Sequence, residues 1–432
     1  MDIEADERRY GSKRIYQRLG PASGQPDRPS KVCFHWQAGR CNRHPCPFLH
    51  SELPATQGPS SSSKRAPQQN LVWQNPSTRG NGGGPNGGNQ SKWGKGRHEE
   101  NTRRLNGGVG TSQGEKVCKH FLLGTCTFGD RCRYLHSWSI GDGFSLITPL
   151  KGHQKVVSAI ALPSGSDKLY SGSKDETVKV WDCQTGQCVA TVSMGREVGC
   201  MISEEPWLFV GIPDSIKVWN TQTGAEMSLS GPTGQVYALV AANDMLFAGT
   251  QDGRILVWKF SAATNCFEPA ASLLGHRLAV ISLVVGGTKL YSGSMDHTIK
   301  VWDLTTLQCV QTLSDHTNVV MSLLCWDQFL LSCSLDNTVK IWFTSNKDQM
   351  EVTYTHNEDH GVIALCGMID AQGKPVLMCS LNDNSMRLYD LPSFNERGRI
   401  FAKQEVRAMQ AGPGIFFTGD GTGEIKVWQW AA

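Results

Sequence analysis

Long apolar runs are missing from this sequence of 432 residues. No stretch approaches the roughly 18 consecutive apolar residues that a membrane-spanning helix needs, so we expect no transmembrane helix. Six of the first nine residues are charged and no apolar segment follows them, so we also expect no secretory signal and an intracellular protein. With 39% hydrophobic and 19% charged residues, the chain has the composition of a soluble protein of two or three domains.

The sequence also lacks the common signatures of catalysis. It contains no phosphate-binding loop, no nucleophile elbow and no metal-ligand set with an open coordination position. Cysteine is present, but its total of 15 is odd, and an intracellular protein is kept reduced, so we expect no disulfide framework. We therefore expect a protein that binds other molecules and not an enzyme.

Charge is distributed unevenly along the chain. Residues 1–138 contain 21 Lys and Arg against 10 Asp and Glu, a formal charge of +11, whereas residues 139–432 contain 21 against 29, a charge of −8. Cysteines divide at the same place, because six lie in two short clusters before residue 139 and nine are scattered beyond it. A basic first third joined to an acidic remainder indicates that the first part binds a polyanion.

A repeat of about 40 residues begins near residue 139. Its two clearest copies are Tyr170-Ser-Gly-Ser-Lys-Asp-Glu-Thr-Val-Lys-Val-Trp-Asp182 and Tyr291-Ser-Gly-Ser-Met-Asp-His-Thr-Ile-Lys-Val-Trp-Asp303. Five weaker copies bring the total to seven units, whose final aromatic residues are spaced by 38, 39, 44, 40, 47 and 39 residues. Apolar and polar residues alternate around a turn in each unit, which predicts hairpins of short strands. The repeats therefore predict an all-β, seven-bladed β-propeller over residues 139–432.

The repeats closely resemble the WD-repeat family, whose signature dipeptide stands at Gly152-His153 and Gly275-His276, with Asp315-His316 and Asp359-His360 as variants. The resemblance implies that a His, a Ser, an Asp and a Trp form one hydrogen-bonded set within a blade. Such sets are expected in blades one, four and five, and they comprise His153, Ser171, Asp175 and Trp181; His276, Ser292, Asp296 and Trp302; and His316, Ser332, Asp336 and Trp342. Because the set recurs in structural positions, we interpret it as scaffold and not as a hydrolase triad.

The seventh unit is one strand short. Trp428 marks the third strand of the last blade, and four residues follow it. A ring left open there would expose unpaired strand edges. We therefore predict that residues 139–150, and within them the alternating segment Gly143-Phe-Ser-Leu-Ile-Thr-Pro-Leu150, supply the fourth strand and close the ring.

Two cysteine clusters share one ligand order. They read Cys33-x7-Cys41-x4-Cys46-x3-His50 and Cys118-x7-Cys126-x5-Cys132-x3-His136. Three thiolates and one imidazole complete a tetrahedral Zn²⁺ shell without an open position, so both predicted sites are structural. Sulfur ligands also favour Zn²⁺ over Mg²⁺ or Ca²⁺. We expect two zinc ions, in residues 31–51 and 116–138, and we expect metal binding to supply most of the folding energy of each small module.

The pattern resembles the CCCH zinc-finger family, whose commonest spacing is slightly longer. In that family the fingers mostly bind single-stranded RNA, with aromatic side chains between the ligands stacking on bases. Both modules here interleave aromatic and basic residues, as single-strand binding requires. The candidate nucleic-acid contacts are Phe34, Trp36, Arg43 and Phe48 in finger one, and Lys119, Phe121, Phe128, Arg131, Arg133 and Tyr134 in finger two. The alternative is that these rings only pack around the metal.

Residues 1–30 and 52–115 are predicted to be disordered. The second segment is rich in Gly, Ser, Pro and Asn, and both contain too few apolar side chains to offset the entropy of ordering. Such a segment is a flexible linker, so finger one should move independently of the rest. Finger two ends only a few residues before the closing strand and should contact the rim of the propeller.

The complete order, two spaced fingers followed by seven repeats, resembles the plant CCCH zinc-finger proteins with WD repeats. This resemblance implies a nuclear nucleic-acid-binding protein without enzymatic activity, with shuttling to the cytoplasm left open. Our leading hypothesis is an adaptor that binds RNA through its fingers and protein partners through its propeller, with neither a membrane nor a small-molecule substrate as partner. The alternatives are a DNA-binding regulator and a cullin-type ubiquitin-ligase receptor, although the Trp-Asp-x-Arg signature of such receptors is absent.

Overall fold

The computed structural model describes residues 116–344 and 349–430. Almost all regular structure in this part of the chain is β-strand. Two short helical segments, the α-helix α1 (Lys119–Leu122) and a 3-10 helix (Gly129–Arg131), precede the first strand. Within the described residues, no helix is long and apolar enough to cross a membrane.

Twenty-nine strands in this part form seven antiparallel sheets, which are the blades of a propeller. Blade one contains β3 (Val157–Ala161), β4 (Lys168–Ser173), β5 (Thr177–Asp182) and β6 (Cys188–Ser193). Blade two contains β7 (Cys200–Glu204), β8 (Trp207–Ile212), β9 (Ser215–Asn220) and β10 (Glu226–Ser230). Blade three contains β11 (Val236–Ala242), β12 (Met245–Thr250), β13 (Ile255–Ser261) and β14 (Cys266–Leu273). Blade four contains β15 (Val280–Gly286), β16 (Lys289–Ser294), β17 (Ile299–Asp303) and β18 (Cys309–Leu313).

The last three blades follow the same plan, with additions from the first two strands of the described residues. Blade five contains β19 (Val320–Trp326), β20 (Phe329–Ser334), β21 (Thr338–Thr344) and β22 (Met350–Asn357). Blade six contains β23 (Val362–Ile369), β24 (Pro375–Leu381), β25 (Ser385–Asp390), β26 (Asn395–Phe401) and, beside β26, β1 (Ser139–Gly141). Blade seven contains β27 (Val406–Gly412), β28 (Ile415–Asp420), β29 (Ile425–Trp430) and β2 (Phe144–Leu150). The all-β, seven-bladed architecture predicted from the repeats is confirmed.

The core lies between neighbouring blades. Strand residues alternate in direction, so each blade offers apolar side chains to the blades on both of its sides. Phe209, Ile216 and Val218 of blade two, for example, form one buried cluster with Leu239 and Leu246 of blade three. The innermost strands of adjacent blades also contact one another all the way around the ring. Burial of apolar surface at these interfaces is what holds each blade to the next.

The ring is closed by β2, which pairs antiparallel with β29 from Phe144 opposite Trp430 to Leu150 opposite Ile425. The sequence analysis placed the closing strand in residues 139–150, and the structure divides that stretch in two. Its first part, β1, pairs instead with β26 at the outer edge of blade six. The division occurs at Gly141, whose φ of +117° is readily adopted only by glycine. One short segment therefore serves two adjacent blades.

The hydrogen-bonded set of blade one has the composition that the family resemblance implies. His153 Nε2 lies 2.8 Å from Ser171 Oγ, and His153 Nδ1 lies 2.9 Å from Asp175 Oδ2. The Trp181 indole N–H donates to Ser171 Oγ at 2.8 Å, which leaves the hydroxyl proton to donate to His153. Burial lowers the pKa of His153 despite the nearby carboxylate, so the imidazole is neutral in this set. The same three contacts measure 2.7, 3.0 and 2.8 Å in blade four and 2.7, 2.8 and 2.8 Å in blade five.

Blade six uses a different set. The sequence analysis took Asp359-His360 as a variant of the signature dipeptide, but the His360 side chain is half exposed and does not enter the blade. Glu358 is buried instead, and its carboxylate accepts a hydrogen bond from the Tyr389 hydroxyl at 2.6 Å. Arg387 pairs with the same carboxylate at 2.9 Å. A phenol in place of the indole is thus satisfied by a buried carboxylate whose charge the guanidinium compensates.

Candidate metal centre and nucleic-acid interface

Finger two is held together at its two ends by backbone hydrogen bonds. The N–H of Cys118 donates to the carbonyl of Leu135 at 2.9 Å, and the N–H of Leu135 donates to the carbonyl of Lys116 at 3.0 Å. Helix α1 begins directly after Cys118, whose Sγ accepts a hydrogen bond from the N–H of Phe121 at 3.4 Å. These bonds place the first and last parts of the module side by side, so that ligands distant in sequence come together.

The four predicted ligands of finger two form one cluster. Cys118, Cys126, Cys132 and His136 each contribute one ligand atom, and these atoms all lie within 4.8 Å of one another. The sulfur atoms of Cys118 and Cys132 are 3.6 Å apart, close to the distance of about 3.8 Å expected for two thiolates bound tetrahedrally to one Zn²⁺. The buried Nε2 of His136 has no hydrogen-bond partner among the described residues, as a metal-binding nitrogen requires. The donors and their geometry therefore fit one structural zinc ion.

The surroundings of Cys118 lower the pKa of its thiol. Desolvation raises the pKa of this thiol, whereas the hydrogen bond from the Phe121 N–H lowers it, and on balance the pKa lies below its ordinary value. The thiolate is the form of cysteine that binds metal. The N-terminal turn of α1 thus favours the ligand form of Cys118.

Phe121 lies on the metal side of the finger. Its ring stacks on the ring of His136, with centroids 4.8 Å apart and 14° between the planes, and lies 5.6 Å from the ring of Trp138. The side chain is partly buried by these contacts. Phe121 therefore supports a metal ligand, and its contact with nucleic acid stays a prediction.

Two other candidate rings face solvent, because 69% of Phe128 and 53% of Tyr134 are exposed. The candidate cations Lys119, Arg131 and Arg133 are exposed as well, and the two arginines lie between the two rings in the sequence. A ring that served only to pack around the metal would be buried against the ligands, and these two are not. The surface combines flat apolar faces with positive charge, which is the chemistry that stacks on bases and neutralises phosphates.

Comparison with known proteins matches both parts of the chain. The sequence profile of the CCCH-type zinc finger matches residues 116–137, and that of the WD domain, G-beta repeat, matches residues 144–182, 267–303 and 307–342. Zinc finger CCCH domain-containing protein 17 of Oryza sativa subsp. japonica is 63% identical over 443 residues, covering 100% of this chain and 98% of that protein. Zinc finger CCCH domain-containing proteins 48 and 63 of Arabidopsis thaliana are 60% and 59% identical and cover 100% and 97% of this chain and 98% and 96% of their own lengths. The chain belongs to the plant CCCH zinc-finger proteins with WD repeats.

Finger one of this CCCH protein lies outside the described residues. The predicted ligands and contacts concerned are Cys33, Cys41, Cys46, His50, Phe34, Trp36, Arg43 and Phe48. The profile match of the CCCH-type finger, over residues 116–137, covers finger two. One zinc site is thus supported by geometry, and the second stays a prediction.

Sequence reasoning missed three residues of the CCCH finger surface. Leu123 and Leu135 are 61% and 38% exposed and add apolar surface to the finger. Trp138 packs on Phe121, and the ammonium group of Lys426 lies 4.3 Å from its ring centroid. A tryptophan placed just after the last ligand was the available signal for this contact, but the sequence did not identify its distant partner in blade seven.

Proposed function

We propose that this CCCH protein binds single-stranded RNA through its zinc-loaded fingers and recruits protein partners through its propeller, in the nucleus. The observation that carries the proposal is the pair of exposed rings, Phe128 and Tyr134, interleaved with the exposed Arg131 and Arg133. Exposed rings stack on unpaired bases with little regard to sequence, and neighbouring cations bind the phosphates between them.

RNA is favoured over duplex DNA because the finger offers no recognition helix. Reading the DNA major groove requires a helix or a β-ribbon that enters the groove, and α1 comprises only the four residues Lys119–Leu122. Single-stranded bases are accessible without such an element. DNA binding is therefore the alternative outcome of the test below.

The propeller is assigned a recruiting role and no catalytic one. Its Ser-His-Asp sets have the hydrogen-bond order of a hydrolase triad, but Ser171 is fully buried, and its hydroxyl is engaged by both Trp181 and His153. No substrate carbonyl can reach this oxygen. The propeller as a whole has a charge of −8 over residues 139–432, which disfavours binding of RNA, whereas the part with the fingers is basic.

The zinc ions have a structural role in this proposal. Bound in finger two, the ion would be held by Cys118, Cys126, Cys132 and His136, and it would fix the loops that carry Phe128 and Tyr134. We propose a second ion in finger one, because that segment repeats the ligand order of the first site.

The test measures binding of the full chain to single-stranded RNA and to duplex DNA at matched salt. Phe128→Ala and Tyr134→Ala should each weaken RNA binding by about 1–3 kcal/mol without loss of zinc, because each removes a stacking surface. Phe128→Tyr and Tyr134→Phe are the matched controls, since they keep the ring. With about 4–6 phosphate contacts, log affinity should fall against log salt with a slope of roughly −3 to −4.

Two results would contradict the proposal. Equal losses in the alanine variants and the ring-preserving controls would show that the rings do not stack on bases. Tighter binding to duplex DNA than to RNA would transfer the function to the DNA-binding alternative.

A further inference from the structure

Finger two is fixed to one place on the rim of the propeller. Trp138 packs on Phe121 of the finger, its carbonyl accepts a hydrogen bond from the N–H of Phe401 at 2.8 Å, and its ring receives the Lys426 ammonium group. The next three residues form β1 on the edge of blade six. Contacts from Trp138 and β1 on both blades six and seven therefore hold the finger in a defined position.

Lys426 connects this position to a group of charges on blade seven. Its side chain is only 4% exposed, and its ammonium group lies 3.1 Å from Glu424 and 3.7 Å from Asp420. Two further lysines, Lys151 and Lys403, approach the same Glu424 at 3.9 Å. Lys151 is 73% exposed and Lys403 35%, and at that distance neither makes a hydrogen bond to the carboxylate. Both ammonium groups are thus available to another anion.

Two more exposed lysines extend this group of charges onto blade one. The turn before β29 touches the loop before β3, because a Cβ on Gly423 would lie 2.8 Å from the carbonyl oxygen of Lys155. The N–H of Lys174 donates to the carbonyl of Val156 in the same loop at 3.0 Å. Lys155 and Lys174 are both exposed. We call the four residues Lys403, Lys151, Lys155 and Lys174 the lysine stripe.

All four lysines lie at the end of the propeller where the finger is attached. In an up-and-down blade, the loops that lead from one blade to the next and the turns between second and third strands share one end. Lys403, Lys151 and Lys155 are in such loops, and Lys174 is in such a turn. Trp138 adjoins Phe401 at the end of β26, which is the same end.

Most carboxylates of these loops are already occupied. Asp175 accepts hydrogen bonds from His153 and from the N–H of Gln154, and Glu405 is paired with Arg407. Glu176 is exposed beside Lys174 and is the exception that we identify in these loops. In and beside these loops, six cationic groups face five carboxylates, a net charge of about +1 on a propeller whose overall charge is −8. The cations are Lys403, Lys151, Lys155, Lys174, Lys426 and Arg407, and the carboxylates are Asp175, Glu176, Glu405, Asp420 and Glu424.

We propose that the lysine stripe extends the RNA-binding surface of finger two onto the propeller, where it binds the phosphates of the single strand that leaves the finger. This inference rests on the proposed function. A finger held rigidly beside the stripe delivers the strand to it without a further ordering cost. Lysine ammonium groups bind phosphates as point charges and carry no base specificity, so the stripe adds affinity and leaves the sequence preference unchanged.

The experiment compares three double variants of the full chain. Two remove the stripe in pairs, Lys151→Ala with Lys403→Ala and Lys155→Ala with Lys174→Ala. The control is Lys259→Ala with Lys374→Ala, because these exposed lysines lie at the opposite end of the strands and remove the same charge. The probes are fluorescent single-stranded RNAs of random sequence, about 20 and about 5 nucleotides long, the shorter one matching the low end of single-strand site sizes. Melting temperatures of all variants serve to check folding.

On the long RNA, each stripe pair should weaken binding about tenfold at 0.15 M salt and reduce the salt slope by about 1.4, the loss expected for two phosphate contacts on a single strand. The control pair should change affinity less than twofold, and the short RNA should show little difference among the variants. Stripe pairs that match the control on an RNA bound by the unaltered chain would overturn the inference and leave the proposed function intact. Stripe variants that bind RNA like the control would also be the result if the stripe bound an acidic protein segment instead of RNA. Failure of the unaltered chain to bind RNA would instead overturn the proposed function itself.

Discussion

Truncation of Phe144 to alanine should destabilise the propeller by about 3–5 kcal/mol, the usual cost of removing a buried aromatic side chain. Phe144 is 7% exposed and lies in β2, the strand that joins the beginning of the propeller to its end. Its ring centroid lies 5.8 Å from that of Trp430, 6.3 Å from that of Trp428 and 6.4 Å from that of Phe416. The substitution would therefore leave a cavity among three large rings of blade seven and weaken the hold of β2 on them.

The assay is urea unfolding of the full chain, followed by tryptophan fluorescence. Ile147→Ala is the matched control, because Ile147 lies on the same strand but is 51% exposed, and exposed truncations usually change stability by about 0.5 kcal/mol or less. With a urea dependence of about 3 kcal/mol per molar, the Phe144→Ala midpoint should fall by about 1 M or more. If both variants unfolded at the same urea concentration, β2 would not anchor the ring through Phe144, and the reasoning would be refuted.

Three further predictions concern metal, protons and backbone. Elemental analysis of the full chain should give two zinc ions, and Cys132→Ser should leave one; a single ion in the unaltered chain would contradict the site in finger one. The melting temperature of the propeller should fall between pH 7 and pH 4, because the pKa of His153 lies below its ordinary 6.5 through burial, and that of Asp175 lies below 3.8 through hydrogen bonds that outweigh burial. The unfolded chain then binds more protons, so stability is lost as pH falls, and a flat profile would contradict the assignment. Gly141→Ala should lower the free energy of unfolding in urea by about 1–3 kcal/mol, because φ at this residue is +117° and the new Cβ would lie 2.6 Å from the Arg397 carbonyl oxygen. Gly143→Ala is the control, since its new Cβ would meet no atom within 4 Å, and it should cost less.

The propeller was predictable from the sequence because its information is local and repeated. Each blade is a set of short strands with alternating apolar residues, and the turn residues recur at nearly constant intervals. Trp181 and Trp302 mark the third strands of their blades, as the repeats predicted. The hydrogen-bonded sets followed from the family resemblance, since the same four residue types stand at the same positions in blades one, four and five.

Blade six shows where such reasoning stops. The pairing of Glu358 with Tyr389 and Arg387 depends on which side chain fills a buried position, and the sequence pattern favoured His360 instead. A carboxylate is rarely buried unless its charge is compensated, and the guanidinium of Arg387 that compensates Glu358 is identified only in the structure. The position depends on contacts across about 30 residues of chain, which a repeat pattern does not encode.

In the candidate site, ligand spacing identified the zinc cluster of finger two, but only the structure separated the rings that face solvent from the one that faces the metal. Phe121 and Phe128 both lie between ligands in the sequence and are equivalent there. Their exposure differs because α1 turns Phe121 towards His136, whereas Phe128 directly precedes the short 3-10 helix and faces solvent. The orientation of an aromatic residue in so small a module is set by the backbone between the ligands and not by the ligand spacing.

A ring of seven similar blades has no inherent feature that selects a place for an attached domain, and the asymmetry must come from the closure. Here the chain enters the ring by way of β1 on blade six and β2 on blade seven, so the residue just before them, Trp138, is necessarily held at the junction of those two blades. Lys426 sits beneath its ring at that junction. The pairing of β2 with blade seven removes the open edge of that blade, and together with β1 it determines where finger two is fixed. About a dozen residues therefore both close the ring and position the finger. A shift in the register of β2 would accordingly displace the finger as well as weaken the ring.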